Sequence, residues 1–139
     1  MSIAFTEDHR SLVETVRSYA DKRDVRGAAR ARLESIDDTA PEFWPEFAEL
    51  GWLAVPFSEE QGGIGGGAVD VMVTSEALGR GVLREPFLTT VITCGGFLRR
   101  GGTAQQQAHY LPGIIDGSSQ WAFAFAEQTG GYDLASVET

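Results

Sequence analysis

The chain has 139 residues, of which 42% are hydrophobic, and it carries a formal net charge of −9. This length and apolar content suit one domain with a buried core, and 20 acidic against 11 basic residues without a basic stripe argue against nucleic-acid binding. One cysteine excludes a multi-thiolate metal site and two histidines leave little for a zinc site, so we expect no metal. The sequence shows neither a membrane span nor a signal peptide, so we expect a cytoplasmic protein.

The first predicted element is an amphipathic helix that begins after Thr6. Thr6 is a suitable N-cap, and Glu7 and Asp8 place carboxylates in the first turn, where they favour the helix dipole. Apolar residues recur at helical spacing on one face: Leu12, Val13, Val16, Tyr19 and Ala20. We interpret the charged stretch 21–38 that follows as the helix end and a solvated connector rather than a functional basic patch.

A second helix is predicted to start at Pro41, whose fixed φ suits the first helical position, and to stop at Gly51. Its aromatic face is predicted to be core. After the short apolar run 52–57, five of the six residues in 62–67 are glycine, which predicts a loop. This loop also fits the nucleotide-binding spacing G-x-G-x-x-A, with Glu85 about 20 residues on. We favour a structural turn, because the flanking pattern is helical and a phosphate loop would need a lysine.

Two further helices are predicted from apolar periodicity. The third covers 68–79 and ends at Gly79 or Gly81. The fourth opens at Pro86 and runs to Leu98, and apolar residues occupy most of its circumference. This pattern indicates burial on more than one side or a helix that lines a pocket.

The last predicted elements are a fifth helix and a strand. Thr103 and Gln106 have the spacing of a capping box for a helix that Pro112 kinks or restarts and that ends by Gly117. Over 121–126, aromatic residues alternate with alanine, which predicts a strand with its large side chains on one face. Because a lone strand cannot pair its backbone, this segment looks like the start of a β-rich domain or is covered by another chain.

No pattern of reactive side chains assigns a catalytic residue. His9 is placed on the polar side of the first helix and His109 beside Tyr110, and neither has a Ser or Cys arranged for activation, so both are interpreted as satisfied or solvated. Cys94 lies in the most apolar helix, where burial would raise its pKa, so we expect it to pack rather than to attack.

Five ordered blocks resemble the N-terminal half of the acyl-CoA dehydrogenases. They are WPEFAELGW (44–52), PFSEEQGGIG (56–65), EALGR (76–80), GTAQQQAHYLP (102–112) and AFAE (124–127) followed by Asp133. The resemblance runs from about Phe5 to Thr139 and is closest to the small subunit of heteromeric enzymes of the pimeloyl-CoA dehydrogenase type. It implies an all-α fold, with the N-terminal helical domain over 1–117 and the first strand and loop of the middle β domain over 118–139.

The resemblance also implies the chemistry. Members of the family bind FAD, remove an α-proton with a glutamate and transfer a β-hydride to the flavin, which converts an acyl-CoA to an enoyl-CoA. The electrons then pass to an electron-transfer flavoprotein, and the subunits form homo- or hetero-oligomers. The glutamate belongs to the C-terminal domain, and nothing in these 139 residues replaces it. The alternative, which Ala126 and Tyr132 motivate, is a non-catalytic partner subunit of a heteromeric enzyme.

The family motif Y-x-V-T-E-P-x-A-G-S-D, which faces the flavin, matches residues 123–133. This match implies cofactor contacts from Phe123, Phe125, Ala126, Gly131 and Tyr132. The helix that opens at Pro86 matches the wall of the acyl pocket, which makes Thr90, Val91, Cys94 and Tyr132 candidate substrate contacts, with core packing as the alternative for the helical residues. Ala126, Gln128 and Tyr132 stand where the family has Thr, Pro and Ser, and these departures favour the partner-subunit alternative.

Overall fold

The computed structural model of the chain describes residues 5–34, 43–127 and 133, and this part of the chain is helical without strands. The α-helices are α1 Glu7–Lys22, α2 Val25–Glu34, α3 Trp44–Glu49, α4 Ala68–Arg80, α5 Gly95–Gly101 and α6 Ala104–Ile115. A π-helix, Phe87–Cys94, runs directly into α5, and 3-10 turns occupy Trp52–Ala54 and Glu59–Gln61. The predicted all-α class is confirmed.

Helix α1 begins where its capping residue predicts. The Thr6 hydroxyl accepts a hydrogen bond from the His9 N–H, and the Nδ1 atom of His9 accepts one from the Thr6 N–H at 3.0 Å. Val16 and Ala20 on the apolar face are buried where α1 packs against α4. The predicted amphipathic stripe is confirmed.

The charged stretch after α1 differs from the prediction, because it contains the helix α2. Asp24 adopts a left-handed conformation with φ of +47°, and its carboxylate accepts a hydrogen bond from the Gly27 N–H at 3.3 Å. Val25, only 2% exposed, anchors the start of the helix in the core. One buried valine among charged residues gives too weak a periodicity to predict a helix.

Helix α3 begins at Trp44 rather than at Pro41, which lies outside the described residues. Pro45 occupies its first turn, and Gly51, with φ of +73°, ends it as predicted. The aromatic side chains are core: the Phe47 and Trp52 rings lie 4.9 Å apart, and the Trp44 indole N–H donates to the Gly117 carbonyl at 3.0 Å.

The predicted fourth helix is the π-helix followed by α5, and its burial is more one-sided than expected. Thr90, Val91 and Cys94 are buried, whereas Leu88 is 66% and Phe97 55% exposed. The wider turn of a π-helix, with i→i+5 bonding, changes which residues share a face, and a pattern search at period 3.6 does not detect it. Because apolar residues surround most of this helix and only one side is buried, large apolar side chains remain on the surface.

Helix α6 starts at the Thr103–Gln106 capping box and continues through Pro112 to Ile115 as one helix. The segment 121–127 that follows is not a strand, because no other described segment pairs with its backbone. The Phe123 and Phe125 rings nevertheless stack 5.5 Å apart, so large side chains two residues apart do share a face. The division into domains at 117/118 stays a prediction.

Candidate functional site

The extended segment is fixed to the bundle by one buried threonine. The Thr90 hydroxyl accepts a hydrogen bond from the Trp121 N–H and donates one to the Trp121 carbonyl, both at 3.0 Å. Thr90 is fully buried and Trp121 is half-buried, so the hydroxyl is shielded from water while the bonds as a whole are partly buried. One side chain of the π-helix thus satisfies both backbone groups of Trp121, as a neighbouring strand would, and sets where the segment leaves the bundle.

Five rings beside this anchor form what we call the aromatic face: Phe97, Tyr110, Trp121, Phe123 and Phe125. The ring centroids of Phe97 and Phe123 lie 4.9 Å apart, and those of Tyr110 and Trp121 lie 5.1 Å apart, both edge to face. Phe97, Phe123 and Tyr110 are 55%, 45% and 38% exposed. Exposed clusters of aromatic side chains are typical of surfaces that bind a ligand or another protein.

The backbone groups of Ala124 and Ala126 are not used by the described part of the chain. Ala124 and Ala126 are exposed, and with the described residues their backbone groups form no hydrogen bond. Free N–H and C=O groups next to exposed aromatic rings suit a flat, polar-edged ring system such as a flavin. The predicted cofactor residues Phe123, Phe125 and Ala126 lie together in this segment, and their contact with a flavin stays a prediction.

The predicted substrate residues Thr90, Val91 and Cys94 all lie on the π-helix and are all buried. The Thr90 hydroxyl is engaged by Trp121, and Val91 lines a cavity of about 380 Å³ next to α4. Burial raises the pKa of the Cys94 thiol, as expected for a residue that packs rather than attacks. Their contact with an acyl chain stays a prediction, with core packing as the alternative.

The remaining predicted residues, Gly131 and Tyr132, lie outside the described residues, as does Gln128. Asp133 is described and exposed. The assignments of Gly131 to the cofactor and of Tyr132 to cofactor and substrate therefore stay predictions.

The glycine-rich loop is a structural turn in which every backbone N–H is used. The amides of 62–66 donate to carbonyl groups of residues 54–59, and the Gly67 N–H donates to the Asp70 carboxylate at 2.8 Å. A Cβ atom at Gly63 or Gly66 would lie 2.1 or 2.5 Å from a backbone carbonyl oxygen, which explains why these positions need glycine. No amide of this loop remains to bind a phosphate.

Glu85, the acidic residue of the nucleotide-binding alternative, has a structural role. It is buried, and its Oε1 atom accepts a hydrogen bond from the Phe43 N–H at 3.1 Å. The described residues also contain no strand from which a nucleotide-binding βαβ unit could be built.

His9 links α1 to α4 and is buried, so its predicted place on the polar side of α1 is wrong. Its Nε2 atom lies 3.0 Å from Oδ1 of Asp70, and because Nδ1 accepts from Thr6, the ring proton belongs on Nε2. The Gly67 N–H, and secondarily His9, lower the pKa of Asp70. His9 is thus a satisfied structural residue, whereas His109 is exposed with its ring 4.6 Å from Tyr110.

Two negative findings concern the described residues only. Among them, no three His, Cys, Asp or Glu side chains come together as metal ligands would. None of the helices in this part of the chain has the length and apolar character needed to cross a bilayer.

Comparisons with known proteins give one consistent result. The profile of the family described as "Acyl-CoA dehydrogenase, N-terminal domain" matches residues 6–118. The acyl-CoA dehydrogenase FadE12 of Mycobacterium tuberculosis is 33% identical over 99 residues, which is 70% of this chain and 26% of FadE12. A subunit of the caffeyl-CoA reductase–Etf complex of Acetobacterium woodii, CarC, is 26% identical over 97% of this chain and 36% of CarC.

The fold is likewise similar to that of a solved structure. The ChsE4–ChsE5 complex from Mycobacterium tuberculosis contains a chain that superposes with a TM-score of 0.80 at 27% identity, over 100% of this chain and 35% of that chain. This chain therefore spans about a quarter to a third of the length of the proteins it matches.

Proposed function

Because the chain belongs to the acyl-CoA dehydrogenase family through its N-terminal domain, we propose that it is part of an FAD-dependent enzyme. This enzyme converts an acyl-CoA thioester to an enoyl-CoA by α,β-dehydrogenation. The observation that carries the proposal beyond family membership is the aromatic face, where exposed rings lie beside a buried anchor and near Ala124 and Ala126, whose backbone groups no described residue pairs. A flavin and a neighbouring domain would cover this surface.

In the proposed enzyme, the residues of this chain bind the cofactor and position the groups that contact it. FAD, when bound, supplies the hydride acceptor. Phe123 and Phe125 offer rings to the flavin edge, and Ala126 offers backbone groups. Thr90 acts through Trp121, because its two hydrogen bonds fix the start of the segment that carries these groups. By the family resemblance, Gly131 and Tyr132 would contact the pyrophosphate or pantetheine.

Thr90, Val91 and Cys94 would supply part of the acyl-pocket wall, with Tyr132 at its mouth. Since the Thr90 hydroxyl is occupied by Trp121, this residue offers the acyl chain only its methyl group. The Cys94 thiol is protonated because burial raises its pKa. The wall is thus apolar, which favours an aliphatic acyl group by excluding water.

The chain itself supplies no assigned catalytic base, so the proton acceptor would come from another part of the enzyme. An electron-transfer flavoprotein as electron acceptor is supported by the family resemblance and by the name of CarC, a subunit of a complex with Etf. Assembly with another acyl-CoA dehydrogenase subunit is supported by the similarity to a chain of the ChsE4–ChsE5 complex.

A second candidate is a non-catalytic partner subunit, and Ala126 is the observation that favours it. The family threonine at this position contacts the flavin through its hydroxyl, and alanine removes that donor. The loss of one such hydrogen bond costs about 1 kcal/mol where backbone donors remain. A subunit with this change could shape a partner's pocket without holding its own flavin firmly.

A chimera tests the proposal. Residues 6–127 replace the corresponding part of FadE12, and flavin absorbance and acyl-CoA-dependent dye reduction are measured. We expect a yellow protein that loses flavin when Phe123→Ala is introduced and keeps it with the matched control Ile64→Ala, since Ile64 is 62% exposed on the glycine-rich loop. A folded chimera that binds flavin equally well with both substitutions would contradict the assigned role of the aromatic face.

The same chimera separates the two candidates. If Ala126→Thr raises flavin retention and turnover several-fold, the natural alanine weakens the site, as expected for a partner subunit. If the unsubstituted chimera already turns over at the rate of FadE12, the catalytic assignment holds and the partner-subunit candidate fails.

A further inference from the structure

A further candidate site is the cavity that Val91 lines next to α4. This is the cavity of about 380 Å³ between the start of α4 and the π-helix with α5. Its walls include four apolar side chains and two arginines: Phe57, Val71, Val91, Ile92, Arg99 and Arg100. No acidic residue is among its described lining residues, although the chain as a whole carries a net charge of −9.

The two arginines bring positive charge that the described protein does not neutralise. Arg99 is half-buried, its guanidinium donates to the Pro56 carbonyl, and its own carbonyl accepts from the Gln107 side chain at 3.4 Å. With the residues that the structure describes, neither Arg99 nor Arg100 forms an ion pair. The Arg99 guanidinium therefore has a carbonyl partner but no balancing carboxylate among the described residues, and Arg100 is exposed, so both positive charges are available to an anion from outside the chain.

The start of α4 adds to this positive potential. Gly67 and Ala68 line the cavity, and α4 has 13 residues, so the positive end of its dipole lies at the wall. The Asp70 carboxylate is engaged by the Gly67 N–H and by His9, and it compensates part of the helix end. The arginines therefore provide most of the attraction for an anion.

We infer that this cavity binds a small organic carboxylate with an aliphatic stem. The planar guanidinium groups match the two oxygens of a carboxylate, while Val71, Val91 and Ile92 provide apolar surface for methylene groups. The volume is within the range of small-ligand sites, about 300–1,000 Å³. Inorganic phosphate would pair with the arginines but would leave the apolar side chains of the cavity in contact with water. The cavity shares Val91 with the proposed acyl-pocket wall, but the inference requires neither flavin binding nor dehydrogenation, so its failure is distinguishable from failure of the proposed function.

Titration of the isotope-labelled 139-residue chain by NMR tests the inference with three probes: hexanoate, acetate and inorganic phosphate. We expect saturable shifts of the Gly66, Gly67 and Gly96 amides with hexanoate, and at least about tenfold weaker binding of acetate, which lacks the stem. Arg100→Gln should weaken hexanoate binding by about tenfold or more. Arg10→Gln, on the exposed side of α1, is the matched control and should leave it unchanged.

Arg99→Gln removes the bond to Pro56 and can disturb the fold, so the exposed Arg100 carries the test, and urea unfolding checks each variant. Absence of saturable shifts with hexanoate would overturn the inference. Tighter binding of phosphate than of hexanoate would replace the carboxylate by an inorganic anion and overturn it as well. Equal affinities of Arg100→Gln and Arg10→Gln would show non-specific charge binding and refute the site.

Discussion

Replacing Thr90 by valine tests the anchor of the aromatic face with almost no change in side-chain shape. The substitution removes a fully buried hydroxyl that makes two hydrogen bonds of 3.0 Å to Trp121. Two net hydrogen bonds of about 0.5–1.5 kcal/mol each give about 1–3 kcal/mol for release of the segment. Since Trp121 lies at the edge of the core, we expect local detachment more than global unfolding.

Amide hydrogen exchange of the isolated chain measures this local free energy. The Trp121 amide should exchange about 5- to 150-fold faster in Thr90→Val, while Thr90→Ser, which keeps the hydroxyl, should restore most of the protection. Thr89→Val is the matched control, because the Thr89 hydroxyl is exposed and donates to the Pro86 carbonyl. Equal Trp121 protection in Thr90→Val and Thr89→Val would refute the anchor.

Three further predictions concern stability measured by urea unfolding. Gly66→Ala should destabilise the chain by about 1–3 kcal/mol, because its Cβ would meet a carbonyl oxygen at 2.5 Å, whereas Gly79→Ala in open space within α4 should stabilise it by about 0.5–1 kcal/mol. Val91→Ala should lower the free energy of unfolding by about 1.5–3 kcal/mol, whereas Leu88→Ala, at an exposed site of the same π-helix, should lower it by less than about 0.5 kcal/mol. Similar losses of stability in the two variants would contradict the observed one-sided burial. Folding lowers the pKa of Asp70 from 3.8, so the ionised carboxylate contributes fully to the free energy of unfolding above pH 3.8, and this contribution is lost as the pH falls through the lower folded pKa. Asp70→Asn should therefore reduce the loss of stability at acidic pH. An unchanged dependence of stability on acidic pH would contradict this role.

The elements that the sequence predicts well are those whose cause is local. Thr6 and Thr103 begin α1 and α6 because a hydroxyl three residues before an N–H caps the helix, whatever the rest of the chain does. Gly51 ends α3 for an equally local reason, its positive φ. By contrast, α2 depends on the burial of Val25 against distant residues, which a charged sequence does not display.

The part of the candidate site that depends on local chain geometry could also be predicted from the sequence. Alternation of aromatic residues and alanine correctly places Phe123 and Phe125 on one face, because that follows from the geometry of an extended chain. The bond between Thr90 and Trp121 joins positions 31 apart, and the contact of Arg99 with Pro56 joins positions 43 apart. Such pairs follow from packing of the whole bundle, and the pattern of neither segment reveals them.

The missing strand and the Thr90 anchor have a common explanation. A strand requires a partner for both backbone groups of its residues, and for Trp121 a threonine side chain supplies that partner. From Ala122 onward the segment keeps the alternation of a strand but leaves the backbone of Ala124 and Ala126 unpaired among the described residues. The sequence thus encodes pairing that the helical bundle does not satisfy by itself. The aromatic face and this unpaired backbone lie side by side, so whatever covers the rings must also supply hydrogen bonds, which an apolar surface alone would not do.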